Sequence, residues 1–437
     1  MRSLHPGNVD VVMALGDSIT AGFAMRGVFP ADVLEWRGDV YSMGGNKGAL
    51  TVANFIKTYN SHVVGAATGT SLPLTKGKAL NAAVSGAKIS DVPAQIEYLE
   101  HTFKTKYAST SLADSNKLLT LWIGANDICG ACKHGNISAQ AAAYEAKMEA
   151  VLDKVFATFP RTFVSVLTIF NVSDVYVAGQ QKAYCREIFK IVQSECGCME
   201  KYGWEGRAAM GEAVVAFNNV THAVVAKFQA KLDPATSWVV VQPQNERANI
   251  PAMGEDYLSD LDCFHPSLFG DKAFAIGLWN NMFLPPDRKV HTLNPTVDGH
   301  IYYGIAAHED GPLYEGKVAI VSLGAPIVMQ FFDKVSREQI AAVFLPPRSL
   351  LVFAHAAYTD VLHCIDAREH DVISPETVDN YADAAAWCAA HPSAATVLHP
   401  PATAPLPASP AYTVPRATRT SITIRRVLKV SKFKLRL

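Results

Sequence analysis

Val11-Val12-Met13-Ala14-Leu15-Gly16-Asp17-Ser18-Ile19-Thr20 carries five uninterrupted apolar residues into a glycine, an aspartate and a serine. An unbroken apolar run of this length is what a β-strand buried on both faces requires. A serine at its C-terminal lip stands where open α/β sheets bind their ligands. At this point Ser18 has two readings, as the cap of a following helix or as a nucleophile.

Three more runs repeat the strand pattern downstream: Leu118-Leu119-Thr120-Leu121-Trp122-Ile123, Thr162-Phe163-Val164-Ser165-Val166-Leu167 and Trp238-Val239-Val240-Val241. Between them, Ala141 to Phe159 and Ala208 to Lys231 read as helices. Strand, helix and strand in repetition predict a three-layer α/β fold with a parallel sheet and right-handed crossovers, spanning residues 8–290. The full chain has 437 residues, 49% of them apolar and 18% charged, with a formal net charge of -1. That composition suits a globular protein of two domains, and its charge balance names no partner. No run of about eighteen apolar residues occurs, so no transmembrane segment is expected.

Three further blocks bring polar chemistry to the ends of the predicted strands. Asn81-Ala82-Ala83-Val84-Ser85-Gly86-Ala87 offers a glycine where backbone must approach a ligand. Gly124-Ala125-Asn126-Asp127 follows a buried strand directly and places an amide at the same edge. Asp262-Cys263-Phe264-His265 sets a carboxylate and an imidazole three residues apart on one turn.

In this order and spacing the four blocks resemble those of the SGNH hydrolases, and more closely the phospholipase B lipases. Glu35-Trp36-Arg37-Gly38 through Gly44-Gly45, and Trp279-Asn280-Asn281-Met282, extend the likeness. The resemblance implies a serine ester hydrolase acting on glycerophospholipids or other acyl esters, with no cofactor. Ser18 would be the nucleophile, His265 its base, and Asp262 the group that fixes the imidazole tautomer. It also implies an oxyanion site made by the backbone N–H groups of Ser18 and Gly86 and the side-chain amide of Asn126, each donor contributing on the order of 10²–10³ in rate. Asp17 is read as structural.

Six of the eight cysteines lie between Cys129 and Cys263, clustered as Cys129/Cys132 and Cys185/Cys196/Cys198, a pattern of oxidising compartments. Sequons at Asn136, Asn171 and Asn219 point the same way. The polar start Met1–Asp10 runs straight into the first strand and leaves no room for a signal peptide. Read as written, the chain is expected to be cytoplasmic, while its cysteines and sequons suggest secretory descent.

After Pro285-Pro286 the texture changes to β-rich runs, among them Val318-Ala319-Ile320-Val321-Ser322-Leu323 and Ser349-Leu350-Leu351-Val352-Phe353. His308-Glu309-Asp310 has the spacing that points two ligands the same way from a strand, and His363 follows. Together they suit a two-histidine, one-carboxylate face for ferrous iron. Arg419 and Arg425 sit six apart on the last predicted strand, where two guanidinium forks would clamp a dicarboxylate. His308-Glu309-Asp310-Gly311-Pro312-Leu313-Tyr314, Pro347-Arg348-Ser349-Leu350-Leu351-Val352 and Ser421-Ile422-Thr423-Ile424-Arg425-Arg426 resemble the AlkB dioxygenases, specifically the sixth eukaryotic homologue.

This second resemblance covers residues 299–430 and implies a mainly β, double-stranded β-helix (jelly-roll) domain using Fe(II) and 2-oxoglutarate. His308, Asp310 and His363 would be its metal ligands, and Arg419 and Arg425 would bind the co-substrate. The strands that precede the H-x-D block in that family are missing, since Asp298-Gly299-His300 leads back into the esterase-like sequence. A Pro/Ala-rich insertion at 391–415 reads as a disordered loop. The basic C-terminus, with Arg425, Arg426, Lys429, Lys432, Lys434 and Arg436, would suit contact with nucleic acid. Two alternatives stand beside an esterase with an appended dioxygenase module: a working dioxygenase with a vestigial esterase half, and a non-catalytic relic fusion.

Overall fold

The computed structural model describes residues 4–26, 32–191, 196–293, 305–308, 314–336, 338–365, 370–398, 409–416 and 419–427. They fall into two compact units, residues 1–299 and 300–437.

The first unit is built on four strands: β1 (Val11–Gly16), β2 (Lys117–Trp122), β3 (Thr162–Leu167) and β4 (Trp238–Gln242). They pair side by side in chain order, and every pairing is parallel. All residues of β1, β2 and β3 are buried, as their unbroken apolar runs require. On the outer edge of β1, parallel bridges from Val11 to Val64 and from Ala14 to Asn81 bring the Asn81–Gly86 loop beside the strand that leads to Ser18.

Among the described residues nine helices connect these strands and a tenth follows β4: α1 (Ser18–Ala21), α2 (Val52–Tyr59), α3 (Val92–Lys106), α4 (Ala125–Ile128), α5 (Ile137–Thr158), α6 (Asp174–Gln181), α7 (Ala183–Ile191), α8 (Gly197–Glu200), α9 (Gly203–Lys231) and, last, α10 (Leu268–Phe283). Helix α5 packs between α3 and α9, whereas α2 packs on α10, so the helices form two groups around a sheet buried on both faces. Side chains fix several starts: Thr51 accepts from Asn54 N–H before α2, Asn136 from Ala139 before α5, and Ser267 from Phe269 and Gly270 before α10. Between β2 and α10 the edge of the Trp122 ring meets Phe274 at 4.8 Å. Each such aromatic removed from water contributes about 1.5–3 kcal/mol.

Three disulfides pair all six cysteines of this unit: Cys129–Cys196, Cys132–Cys198 and Cys185–Cys263. The first two staple the turn after α4 to the start of α8. The third ties α7 to the segment ahead of α10.

The second unit is antiparallel throughout its described pairings. Its strands are β5 (Ile305–His308), β6 (Tyr314–Gly324), β7 (Ile327–Asp333), β8 (Gln339–Leu345), β9 (Leu350–Ala354), β10 (Val361–Ile365), β11 (His370–Ile373), β12 (Thr396–Leu398), β13 (Ala411–Pro415) and β14 (Arg419–Val427), with helices α11 (Ala356–Thr359) and α12 (Tyr381–Ala390). They assemble as β5-β10-β7-β8, β11-β13-β12 and β14-β6-β9. Alternation along β7 sends Ile327, Met329 and Phe331 into one core cluster and Val328 into another, so this sheet is covered on both faces. Cys364 and Cys388 are buried and lie outside these disulfides.

Of the Pro/Ala-rich stretch 391–415, residues 399–408 lie outside the described residues, and the described parts on either side contain β12 and β13. Thr396-Val397-Leu398 and Ala411-Tyr412-Thr413-Val414 are short β-prone runs, and β13 pairs with both β11 and β12. Pro415 closes β13 at its end, where a missing N–H costs the ladder least.

Candidate active site

Ser18 is the first residue of α1, immediately beyond β1, and it is buried. The cap of that helix is its neighbour: Asp17 Oδ1 accepts from the Ile19 N–H at 3.0 Å, which leaves the Ser18 hydroxyl for other partners. Ser18 Oγ stands 2.7 Å from His265 Nε2. On the far side of the ring, His265 Nδ1 lies 2.6 Å from Asp262 Oδ2. The other oxygen, Asp262 Oδ1, accepts the N–H groups of Phe264 at 2.9 Å and His265 at 3.0 Å, so one carboxylate fixes both the ring and the turn that carries it.

The turn itself is irregular. Cys263 has φ +59°, a left-handed conformation unfavourable for a side-chain-bearing residue, and its disulfide to Cys185 restrains it. The Phe23 and Phe264 rings pack near-perpendicular to the imidazole, with ring centroids 4.9 and 5.1 Å from it.

Asn126 lies in α4, beyond the end of β2. Its Nδ2 donates to Ala87 O at 3.0 Å, while Asp127 Oδ2 accepts from Ile89 N–H at 3.0 Å. The turn after β2 is thereby pinned to the loop after Gly86. Gly124, at φ +120°, has no room for a side chain, because a Cβ there would meet Ile169 Cδ1 at 2.7 Å. Gly86 takes φ +82° with open space around the position of a Cβ, so conformation rather than crowding selects glycine.

A cleft with about 340 Å³ of free space joins these groups. Asp17, Ser18, Asn126 and His265 form its polar end, and Phe170, Val172, Val175 and Phe264 its apolar wall. Gly86 is exposed and is not among the described residues that line it. Burial pushes the Asp17 carboxyl up to about 7, against the lowering influence of the Ile19 N–H and of His265, with Asp127 pushing it further up.

Ser18, Asn126 and the Asp262/His265 pair are thus brought together from three separate blocks of sequence. The cleft wall is what sequence reasoning missed. Phe170 and Val172 follow the end of β3 directly, and that position at the ligand-binding edge of the sheet was the available signal. Cys185, the disulfide partner of Cys263 in the Asp262–His265 turn, was likewise invisible in spacing alone.

In the second unit, β5 and β10 pair with His308 opposite His363. His363 is buried, its ring 5.0 Å from that of Phe353 and 6.4 Å from that of Phe331. Asp310 lies outside the described residues. In the β14–β6 register Arg419 pairs with Gly324 and Arg425 with Val318. Among the described residues no group of three His, Cys, Asp or Glu side chains is arranged to hold a metal ion, and no helix is long and apolar enough to cross a membrane.

The model of the family GDSL-like Lipase/Acylhydrolase matches residues 12–278. Human "Phospholipase B1, membrane-associated" is 31% identical over 310 residues, covering 68% of this chain and 20% of that protein. The chain therefore spans about a fifth of the length of this relative. Zebrafish "Probable RNA/DNA demethylase ALKBH6" is 27% identical over 143 residues, which is 30% of this chain and 51% of that protein. Among solved structures, phospholipase A1 from Streptomyces albidoflavus NA297 aligns with 60% of this chain and 94% of its own at 18% identity and a TM-score of 0.30.

Proposed function

The chain belongs to the GDSL-like lipase/acylhydrolase family, whose members hydrolyse carboxylic esters, and from that premise we propose that Ser18, His265 and Asp262 act together on the acyl bonds of glycerophospholipids. His265 takes the Ser18 proton as Oγ attacks the ester carbonyl, and Asp262 holds the ring with its second nitrogen protonated. The charge that develops on the carbonyl oxygen is met by the N–H groups of Ser18 and Gly86 and by the Asn126 amide. His265 then returns the proton to the leaving alcohol, and a water molecule repeats the cycle on the acyl-enzyme.

The observation that carries this reading is the continuous chain from Ser18 Oγ to His265 at 2.7 Å and on to Asp262 at 2.6 Å. The apolar wall of Phe170, Val172, Val175 and Phe264 supports an acyl chain as the occupant of the cleft. The similarity to phospholipase B1 supports a phospholipid as its source. Hydrolysis of a short aryl ester and of mixed phospholipid vesicles, lost in Ser18→Ala, is the expected result. A folded wild-type protein that hydrolyses neither, and takes no fluorophosphonate label at Ser18, overturns it.

A second reading concerns residues 300–437. We propose that this unit is an AlkB-type double-stranded β-helix in which His308, Asp310 and His363 hold Fe(II) and Arg419 and Arg425 hold 2-oxoglutarate. Its support is the cross-strand pairing of His308 with His363, two positions 55 apart in sequence, together with the similarity to the zebrafish protein. When bound, iron would supply oxidation chemistry, and contact of the basic C-terminus with nucleic acid belongs to the same reading. Asp310 lies outside the described residues, so the reading extends to metal binding and not to a reaction. Anaerobic titration with Fe(II) tests it: one equivalent bound by the full chain and lost in His363→Ala supports it, and no binding by the full chain removes it.

A further inference from the structure

Glu35 and Arg37 form an ion pair at 2.7 Å with both side chains fully buried, although neither touches the cleft. A buried pair of this kind adds little net stability over an apolar replacement, so its partners are informative. Arg37 uses its guanidinium on the loop that leads to Gly86. Nη1 donates to Asn81 O at 3.1 Å, and Nη2 donates to Ala83 O at 2.8 Å and Thr75 O at 3.0 Å. Glu35 Oε2 accepts from Arg37 and from Ser71 Oγ at 2.8 Å. Its remaining oxygen, Oε1, accepts from Ser85 Oγ at 2.7 Å.

Ser85 directly precedes Gly86, and the Gly86 N–H lies in the rigid peptide plane that joins them. Anchoring the Ser85 side chain therefore limits how that plane can rotate. The other end of the loop is tied to the nucleophile, since Asn81 Nδ2 donates to Thr20 O at 2.8 Å within α1, and Val84 N–H donates to Gly16 O at 3.2 Å. Glycine at position 86, with φ +82°, has the greatest freedom to swing, and without a restraint its N–H would sample many directions.

We infer that the Glu35–Arg37 pair, acting through Ser85, is a positioning device that aims the Gly86 N–H at the oxyanion. This rests on the hydrolase reading of Ser18, and it assigns a role to three residues that touch neither substrate nor triad. The pair lends itself to this because a charged acceptor holds the Ser85 hydroxyl more strongly than a neutral one.

Ser85→Ala removes the last link while leaving the buried pair intact. The expected result is a loss in kcat of about tenfold, less than the 10²–10³ that follows removal of a whole donor. KM and the pH profile should stay at wild-type values, and the affinity for phenylboronic acid, a tetrahedral analogue, should weaken by the same factor as kcat. Ser85→Thr, which keeps a hydroxyl, should recover most of the loss. Wild-type kcat in Ser85→Ala, or a loss accounted for entirely by fewer titratable active sites, overturns the positioning role and leaves the hydrolase reading standing. A folded wild type without Ser18-dependent turnover overturns both.

Discussion

Replacing Asp262 by asparagine changes one atom and should reverse the direction of one proton. In the native arrangement Asp262 Oδ1 accepts two backbone N–H groups and Oδ2 faces His265 Nδ1 at 2.6 Å. Asparagine can keep Oδ1 on the backbone, and its amide nitrogen then faces His265 Nδ1. Two donors cannot share that contact, so the imidazole takes the other tautomer, with its proton on the nitrogen 2.7 Å from Ser18 Oγ. A protonated Nε2 cannot accept from serine. Loss of the correct tautomer costs about 10⁴ in kcat, or about 5.5 kcal/mol in the barrier at 1.36 kcal/mol per decade. Stability should move by less than about 1 kcal/mol, because both backbone hydrogen bonds survive. Aryl-ester turnover normalised to folded protein, together with the rate of fluorophosphonate labelling, reads the effect. An Asp262→Asn variant within tenfold of the wild type, while Ser18→Ala is inactive, would refute the assigned role of the carboxylate.

Other outcomes follow from the same geometry. Burial holds the Asp17 carboxyl at about 7 against an ordinary 3.8, so the folded chain keeps a proton that the unfolded chain releases, and stability falls as pH rises across that window. Asp17→Asn keeps the cap on Ile19 and should be more stable than the wild type at pH 8, by on the order of 4 kcal/mol, with the advantage gone below pH 4; denaturant midpoints that differ equally at both pH values would contradict it. Replacing Cys185 and Cys263 together by serine opens a link between residues 78 apart, for which chain entropy gives about 4.5 kcal/mol of lost stability, measurable as a lower urea midpoint. Asn126→Ala should lower kcat by about 10²–10³ with little change in KM, and an unchanged kcat would remove the amide from the oxyanion site.

The polar blocks were legible in sequence because each sits at a strand end, where local pattern and chemistry coincide. Val11–Leu15 becomes β1, and Thr162–Leu167 is β3 to the residue. Helix α9 begins at Gly203 rather than Ala208, because its first turn packs against α8 and is not set by apolar periodicity. The short strands β12 and β13 were hidden by flanking proline and alanine, and only the cross-strand register with β11 reveals them. The cleft wall, the disulfide partners and the reach of Arg37 depend on contacts between residues far apart in sequence, for which no local pattern exists.

That division has a physical consequence for the candidate site. Ser18 sits at a regular strand-to-helix junction. His265 and Asp262 instead sit on an irregular turn from Ser259 to Pro266, with no strand or helix of its own to hold them. Long-range links replace the missing regular structure: Ser259 Oγ donates to Ala24 O, Leu258 bridges to Pro266, and Cys263 is joined to Cys185 on α7. Helix α6, beside α7, supplies Val175 to the cleft wall. The same disulfide therefore couples the imidazole's turn to α7, which packs on the helix that supplies Val175 to the cleft. Loosening it should displace the base relative to Ser18 before it unfolds the sheet, so thermal loss of activity in the Cys185/Cys263 double variant should precede loss of β-sheet signal.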